Sequence, residues 1–207
     1  AVGDGRFTYQ TYESPSRVAV TEEVARCPSS TEERTVHQYG VDYILLDCPV
    51  GTYTLNFQGT QQVDVVPATA HSGDYVFWSN LGDDSDMRLT RSFDFTNVTG
   101  PLTLNYWTWY ELETDYDYVY LLASEDEGKT WQFLIAPSGT PEDPTGNSYG
   151  WANTGVSGGG SEPVWIEETV DISKFAGKQV QIRFQYVTDA AVHSEGLLLD
   201  DVAILQT

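Results

Sequence analysis

The chain has 207 residues, 31 Asp and Glu against 10 Lys and Arg, and a formal charge of −21. It is long enough to bury a substantial core, and its charge repels phosphate backbones and anionic lipid surfaces, which excludes nucleic acid as a partner. No stretch approaches the roughly 18 consecutive apolar residues of a membrane-spanning helix. Thirteen Tyr, six Trp and a single Met, with no long Ala/Leu/Glu/Lys run, point to strands with few helices.

In chain order, residues 1 to about 35 are polar and weakly patterned. The opening "AVGDGRFTYQ" carries no basic n-region or apolar h-region, so no signal peptide is expected in it. Cys27 and Cys48 are the two cysteines. An even count without Cys–His metal spacing predicts a disulfide and an oxidising, extracellular setting. Strands are expected at 41–46, 52–57, 62–66, 75–79 and 88–95.

"PLTLNYWTWYEL" then alternates, with Leu102, Leu104, Tyr106 and Tyr110 on one face and Trp107 and Trp109 on the other. Strands at 117–124 and 130–136 flank "SEDEGKTW", which matches the Asp-box pattern S-x-D-x-G-x-T-W at every specified position. A single copy reads as a tight hairpin, with Asp126 as side-chain acceptor and Gly128 at positive φ, and not as one blade of a propeller enzyme. Residues 137–163 form a long Gly/Pro-rich connection, and strands follow at 164–170, 179–187 and 197–205. "QVQIRFQYV" points Val180, Ile182, Phe184 and Tyr186 inward, and "DISKFAGK" is one short helical turn. This pattern predicts an all-β antiparallel sandwich over 71–207. Residues 1–70 form a β-rich segment, packed on or part of that sandwich.

If successive strands reverse direction, the segments 81–86, 111–117, 137–163 and 188–196 gather at one end. They bring Asp83, Asp84, Asp86, Glu111, Glu113, Asp115, Asp117, Asp189 and Glu195 together, with Asp200 and Asp201 shortly after. That oxygen set suits calcium, although "DDSD" and "DYD" do not follow the EF-hand spacing; a solvated acidic rim is the alternative. "GVSGG" around Ser157 matches G-x-S-x-G, but in a Gly-rich loop of an all-β chain it has no strand-to-helix context. The chain contains no H-E-x-x-H, so no zinc peptidase chemistry and no catalysis are expected of it. Trp151, with Tyr149 beside it in the long loop, is the candidate for stacking on a sugar.

The segments "TVHQYGVDYILL", "HSGDYVFWSNLGDDSDMRLTRSFDF", "LNYWTWYELETDYDYVYLLASEDEGKTW", "GNSYGWANTGVSGG" and "DISKFAGKQVQIRFQYVTDAAVHSEGLLLDDVAI" together resemble the immune inhibitor A family of secreted bacterial metallopeptidases. The resemblance is to the non-catalytic β region beyond the peptidase domain and covers roughly residues 35–205. It implies a calcium-stabilised jelly roll of the MAM-like, galactose-binding-like kind. By position it implies ligands at Asp83, Asp84, Asp86, Asp200 and Asp201; Asp115 and Asp117 join them from the acidic end. The expected function is a secreted, calcium-binding accessory module whose partners are parent-chain domains or an extracellular protein or glycan. A carbohydrate-binding module and a structural subunit of an extracellular assembly are the alternatives.

Overall fold

The computed structural model describes residues 20–24, 27, 32–36, 40–61 and 63–206. These fall into two compact units, Ala1–Gln62 and Val63–Thr207.

In the first unit, strands β1 (Glu22–Val24) and β2 (Ile44–Leu46) pair in parallel, with Glu22 opposite Ile44 and Val24 opposite Leu46. Two three-residue strands cannot bury a core, so other ties hold the unit. Arg34 forks onto both carboxylate oxygens of Glu22, with Nε and Nη2 each at 2.8 Å, and Nη2 also reaches Glu32 at 2.6 Å. The Arg34 guanidinium holds the Glu22 carboxyl below its ordinary range. Cys27 and Cys48 are joined, as expected, with their Cα atoms 5.4 Å apart. The sequence expectation of a strand at 52–57 is not met: that segment is irregular, as are 63–66. Their apolar residues alternate, yet no strand among the described residues pairs with them.

Closing a loop of about 20 residues stabilises by roughly 3 kcal/mol in the chain-entropy picture. Reduction is therefore expected to unfold the first unit while the strands of the second persist. The native mass should be two protons below that of the dithiol. Two alkylatable thiols in the untreated protein would contradict this.

The second unit is a sandwich of two antiparallel four-stranded sheets. One has the order β3 (Phe77–Trp78), β10 (Gly196–Gln206), β5 (Leu102–Glu111), β8 (Ile166–Asp171). The other has the order β4 (Asp86–Asp94), β9 (Gln179–Val187), β6 (Tyr118–Ser124), β7 (Gln132–Phe133). The short helical turn expected in "DISKFAGK" is a 3₁₀ turn at Ser173–Phe175. The two-residue period is kept, so Leu104, Tyr106 and Tyr110 of β5 meet Ile182, Phe184 and Tyr186 of β9 across the layers. Tyr106 packs edge-on to Phe184, with ring centroids 4.9 Å apart. Leu197 and Leu199 complete the core from β10.

Strand β6 is buried along its whole length. Val119, Leu121 and Ala123 face the sandwich, while Tyr118, Tyr120 and Leu122 form a second cluster with Ala152 of the long connection. That connection is fixed to the sandwich at several points. Asn153 and Val119 exchange backbone hydrogen bonds at 2.9 Å, and Leu112 N donates to Gly155 O at 2.9 Å. Segment 63–72 belongs to this unit as well: Trp165 Nε1 donates to Thr69 O, and the His71 ring stacks on Trp107 at 3.7 Å. Polar side chains and one stacked ring thus tie this strandless stretch of chain down.

The Asp-box is a hairpin corner. Asp126 accepts from Ser124 Oγ, Thr130 N and Thr130 Oγ1 at 2.6–2.9 Å, and Gly128 has φ 85°. Trp131 closes the turn by donating to Gly128 O. The donors on Asp126, led by the Thr130 hydroxyl, hold its carboxyl down to about 2. Its contribution is therefore present above the ordinary carboxyl range and is lost as pH falls through about 2.

Candidate metal centre

The antiparallel pairing brings the acidic connections to one end. Asp86 lies opposite Val187, Tyr118 opposite Val187 from the other side, and Gly196 opposite Glu111. The connections 81–85, 112–117 and 188–195 therefore meet, and Asp84 N donates to Asp189 O at 2.6 Å.

Within them, one turn selects the ligands. Asp117 N donates to Glu113 O at 3.0 Å, an i→i+4 turn made possible by Asp115 at φ 67°. Glu113 and Asp117 come together as a result, and Asp189 reaches them from the end of β9. One carboxylate oxygen from each lies within 4.8 Å of the others. Asp117 is fully buried; its Oδ2 accepts from the Tyr186 hydroxyl and its Oδ1 from Asp189 N, both at 3.0 Å. Glu113 Oε2 is buried and has no hydrogen-bond partner.

Burial, the larger cause, and the neighbouring charges of Asp189, Asp117 and Asp83 push the Glu113 carboxyl up. Burial likewise pushes Asp117 up, against the donors that favour its charged form. The Tyr186 phenol is raised too, by burial and then by Asp117. Three convergent carboxylates with one orphaned oxygen are poorly compensated by the protein alone.

The donor set fits a hard divalent cation. Calcium–oxygen distances of about 2.3–2.6 Å allow ligand oxygens up to roughly 5 Å apart, whereas magnesium requires a tighter octahedron. Glu113, Asp117 and Asp189 would hold the ion, and the ion would supply the positive charge that the cluster lacks. Soft ligands play no part: Cys27 and Cys48 are bonded to each other.

The other residues singled out from the sequence are placed as follows. Asp83 lies close enough to raise Glu113 and Asp117, and it pairs with His193 Nδ1 at 2.6 Å. Asp84 serves the cluster through its backbone, at φ 48°. Asp86 is engaged by Arg88 and by Gln185 Nε2. Asp115 contributes its backbone: its N–H donates to the Thr154 hydroxyl, and its carbonyl accepts from Tyr118 and Thr145. Asp200 and Asp201 lie farther along β10 at a bulge, where Asp201 takes Ser72 Oγ and His71 Nδ1, and Asp200 takes Ser72 N.

Trp151 donates its indole N–H to Ala136 O and packs over Gly139, so its ring serves the loop. Tyr149 is 69% exposed and stacks on Tyr120 at 5.6 Å. Ser157 is fully buried; its hydroxyl donates to Val164 O and accepts from Tyr110 N, which makes it a staple between β5 and the long connection. Glu113 and Asp189 were part of the acidic end in the sequence but not among its chosen ligands. The i, i+4 spacing of Glu113 and Asp117 was the available signal.

The fold and the acidic end define a two-sheet β-sandwich module with a carboxylate cluster at one edge. The chain belongs to the family described as "Immune inhibitor A-like, MAM domain", which matches residues 56–206. It is 33% identical over 132 residues to the "Pre-pro-metalloprotease PrtV" of Vibrio cholerae serotype O1, covering 64% of this chain and 13% of that protein. It is 30% identical over 133 residues to "Immune inhibitor A" of Bacillus thuringiensis subsp. alesti, covering 64% of this chain and 17% of that protein. The chain thus spans less than a fifth of these relatives. Among solved structures, TmCBM61 in complex with β-1,4-galactotriose aligns over 67% of this chain and 75% of that one, at 17% identity and a TM-score of 0.36. That likeness is too slight to bear on a ligand here.

Proposed function

We propose that this chain is a secreted, non-catalytic accessory module of a metallopeptidase-like protein, and that calcium bound by Glu113, Asp117 and Asp189 fastens its acidic end. The family membership supports the accessory role. The observation that carries the calcium reading is the buried, unpartnered Glu113 Oε2 inside a convergent carboxylate cluster. The non-catalytic reading is supported by Ser157, whose hydroxyl is committed to backbone partners.

An ion at this point would join three connections. Glu113 and Asp117 belong to the β5–β6 turn, Asp189 follows β9, and the Asp83–Asp84 segment is bound to Asp189 O. The long connection is drawn in as well, because Thr154 Oγ1 donates to Glu113 O and Asn147 Nδ2 to Asp189 Oδ2. Melting should therefore rise in calcium and fall in chelator, with magnesium a poor substitute. Ala at Asp200 should leave the calcium increment in place, since that side chain serves Ser72. A melting temperature indifferent to calcium and chelator alike would reduce the cluster to a solvated rim.

A further inference from the structure

On the outer face of the β3–β10–β5–β8 sheet, sharing no residue with the Glu113, Asp117 and Asp189 cluster, lies an open cavity of about 370 Å³. Trp109 and Glu111 of β5 form part of its lining, Asp64 to Pro67 make one wall, and Glu162, Pro163 and Glu195 make the rest. We propose that this cavity receives an arginine side chain of a protein partner.

Four carboxylates, Asp64, Glu111, Glu162 and Glu195, line one small space, and no Lys or Arg lines it. The ion pairs of this unit lie elsewhere: Arg88 with Asp86, Lys178 with Glu125, His71 with Asp201 and His193 with Asp83. A bare metal ion does not suit this set. Among the described residues, the group of three or more acidic side chains with ligand atoms within 4.8 Å of one another is Glu113, Asp117 and Asp189, and the cavity's four carboxylates form no such group. Dispersed carboxylates match a cation that is itself spread out, and a guanidinium offers five N–H donors in a planar fork.

Trp109 supplies the second, independent observation. It is only 6% exposed. The indoles of Trp78, Trp131, Trp151 and Trp165 each donate to a backbone carbonyl, whereas those of Trp107 and Trp109 donate to none of the described residues, and of these two Trp109 lines the cavity. Trp109 lines the cavity, and an indole N–H without a partner among the described residues can donate to an acceptor that the occupant brings. A peptide supplies one in its main-chain carbonyl, beside the cationic side chain. Val65, Val66, Pro67 and Pro163 offer apolar wall for the side-chain stem. The wall is held in place by Trp165 Nε1 on Thr69 O and by Ser72 on Asp200 and Asp201.

The test is a calorimetric titration of the whole chain with the capped peptide Gly-Gly-Arg-Gly-Gly and its citrulline counterpart, which has the same shape without the charge. Saturable binding of the arginine peptide is expected, with at least a roughly tenfold loss for citrulline. A similar loss is expected for the double variant Glu162→Gln, Glu195→Gln, provided its melting temperature matches the parent. The control double variant Glu127→Gln, Glu142→Gln removes the same charge away from the cavity and should bind as the parent does. Equal loss in the control, equal binding of citrulline, or no saturation up to about 10 mM peptide would each overturn the proposal. Tighter binding of a glucosamine oligomer than of the peptide would overturn it too, in favour of a cationic sugar. Because the two carboxylate sets share no residue, a chelator-treated sample should still bind the peptide, which separates this proposal from the calcium reading.

Discussion

Asp117→Asn is expected to reverse the order of stability between calcium and chelator. The amide keeps an acceptor for Asp189 N and nearly the same volume, but removes one charge from a cluster in which Glu113 and Asp189 are close neighbours. Without a cation, the variant should melt at or above the parent, because like-charge repulsion is relieved. With calcium, the parent gains RT ln(1 + [L]/Kd), about 2.7 kcal/mol at a hundredfold excess over Kd, and the variant gains little. For a unit of this size that is about 5–10 °C in melting temperature. Asp117→Ala is a different experiment. It strands the Tyr186 hydroxyl and Asp189 N in the interior and should destabilise by about 2–5 kcal/mol whether or not calcium is present. A parent that outlasts Asp117→Asn equally in both media would remove the cation from the explanation.

The second large effect falls on Gly196, the first residue of β10, at φ 87°. A Cβ there would lie 2.6 Å from Ser79 Oγ and 2.7 Å from the backbone oxygen of Asn80. The Ser79 hydroxyl accepts Leu197 N at 2.9 Å, and Ser79 N donates to Leu197 O, so neither neighbour can retreat without loosening the edge of the sheet. Strain at the left-handed backbone and the clash together should cost Gly196→Ala about 2–5 kcal/mol. Gly146→Ala, also at positive φ but with nothing near its Cβ, should cost only the backbone part. Equal melting of the two variants would show that the packing around Gly196 yields more easily than its contacts imply.

Alternation made most of the sandwich legible. Leu102 to Tyr110 and Val180 to Tyr186 face the core as their two-residue period requires, and the reversal of successive strands placed the acidic connections at one end. Strand β6 shows why the rest was not readable. Its seven residues are buried on both faces, because Ala152 and the long connection cover the outer one, and no local pattern announces a cover drawn from thirty residues away. Residues 52–57 failed in the opposite way: the apolar period is present, but among the described residues no strand pairs with it. The acidic end was visible as a group, whereas its convergent members depend on the turn at Asp115 and on the exit angle of β9. Asp200 and Asp201 stand in an acidic run in the sequence, yet a bulge opposite Asn105 and Trp107 turns them toward Ser72 and His71. The cavity around Trp109 could not be foreseen, since its walls come from three distant parts of the chain.

The most direct test of the calcium-fastened acidic end is a calorimetric titration of calcium into the whole chain after treatment with chelator. Binding at the Glu113, Asp117 and Asp189 cluster predicts a saturable site with one equivalent of calcium, abolished by Asp117→Asn and kept in Asp200→Ala. No heat above dilution in the parent, or a site lost with Asp200 and kept without the Asp117 charge, would contradict it.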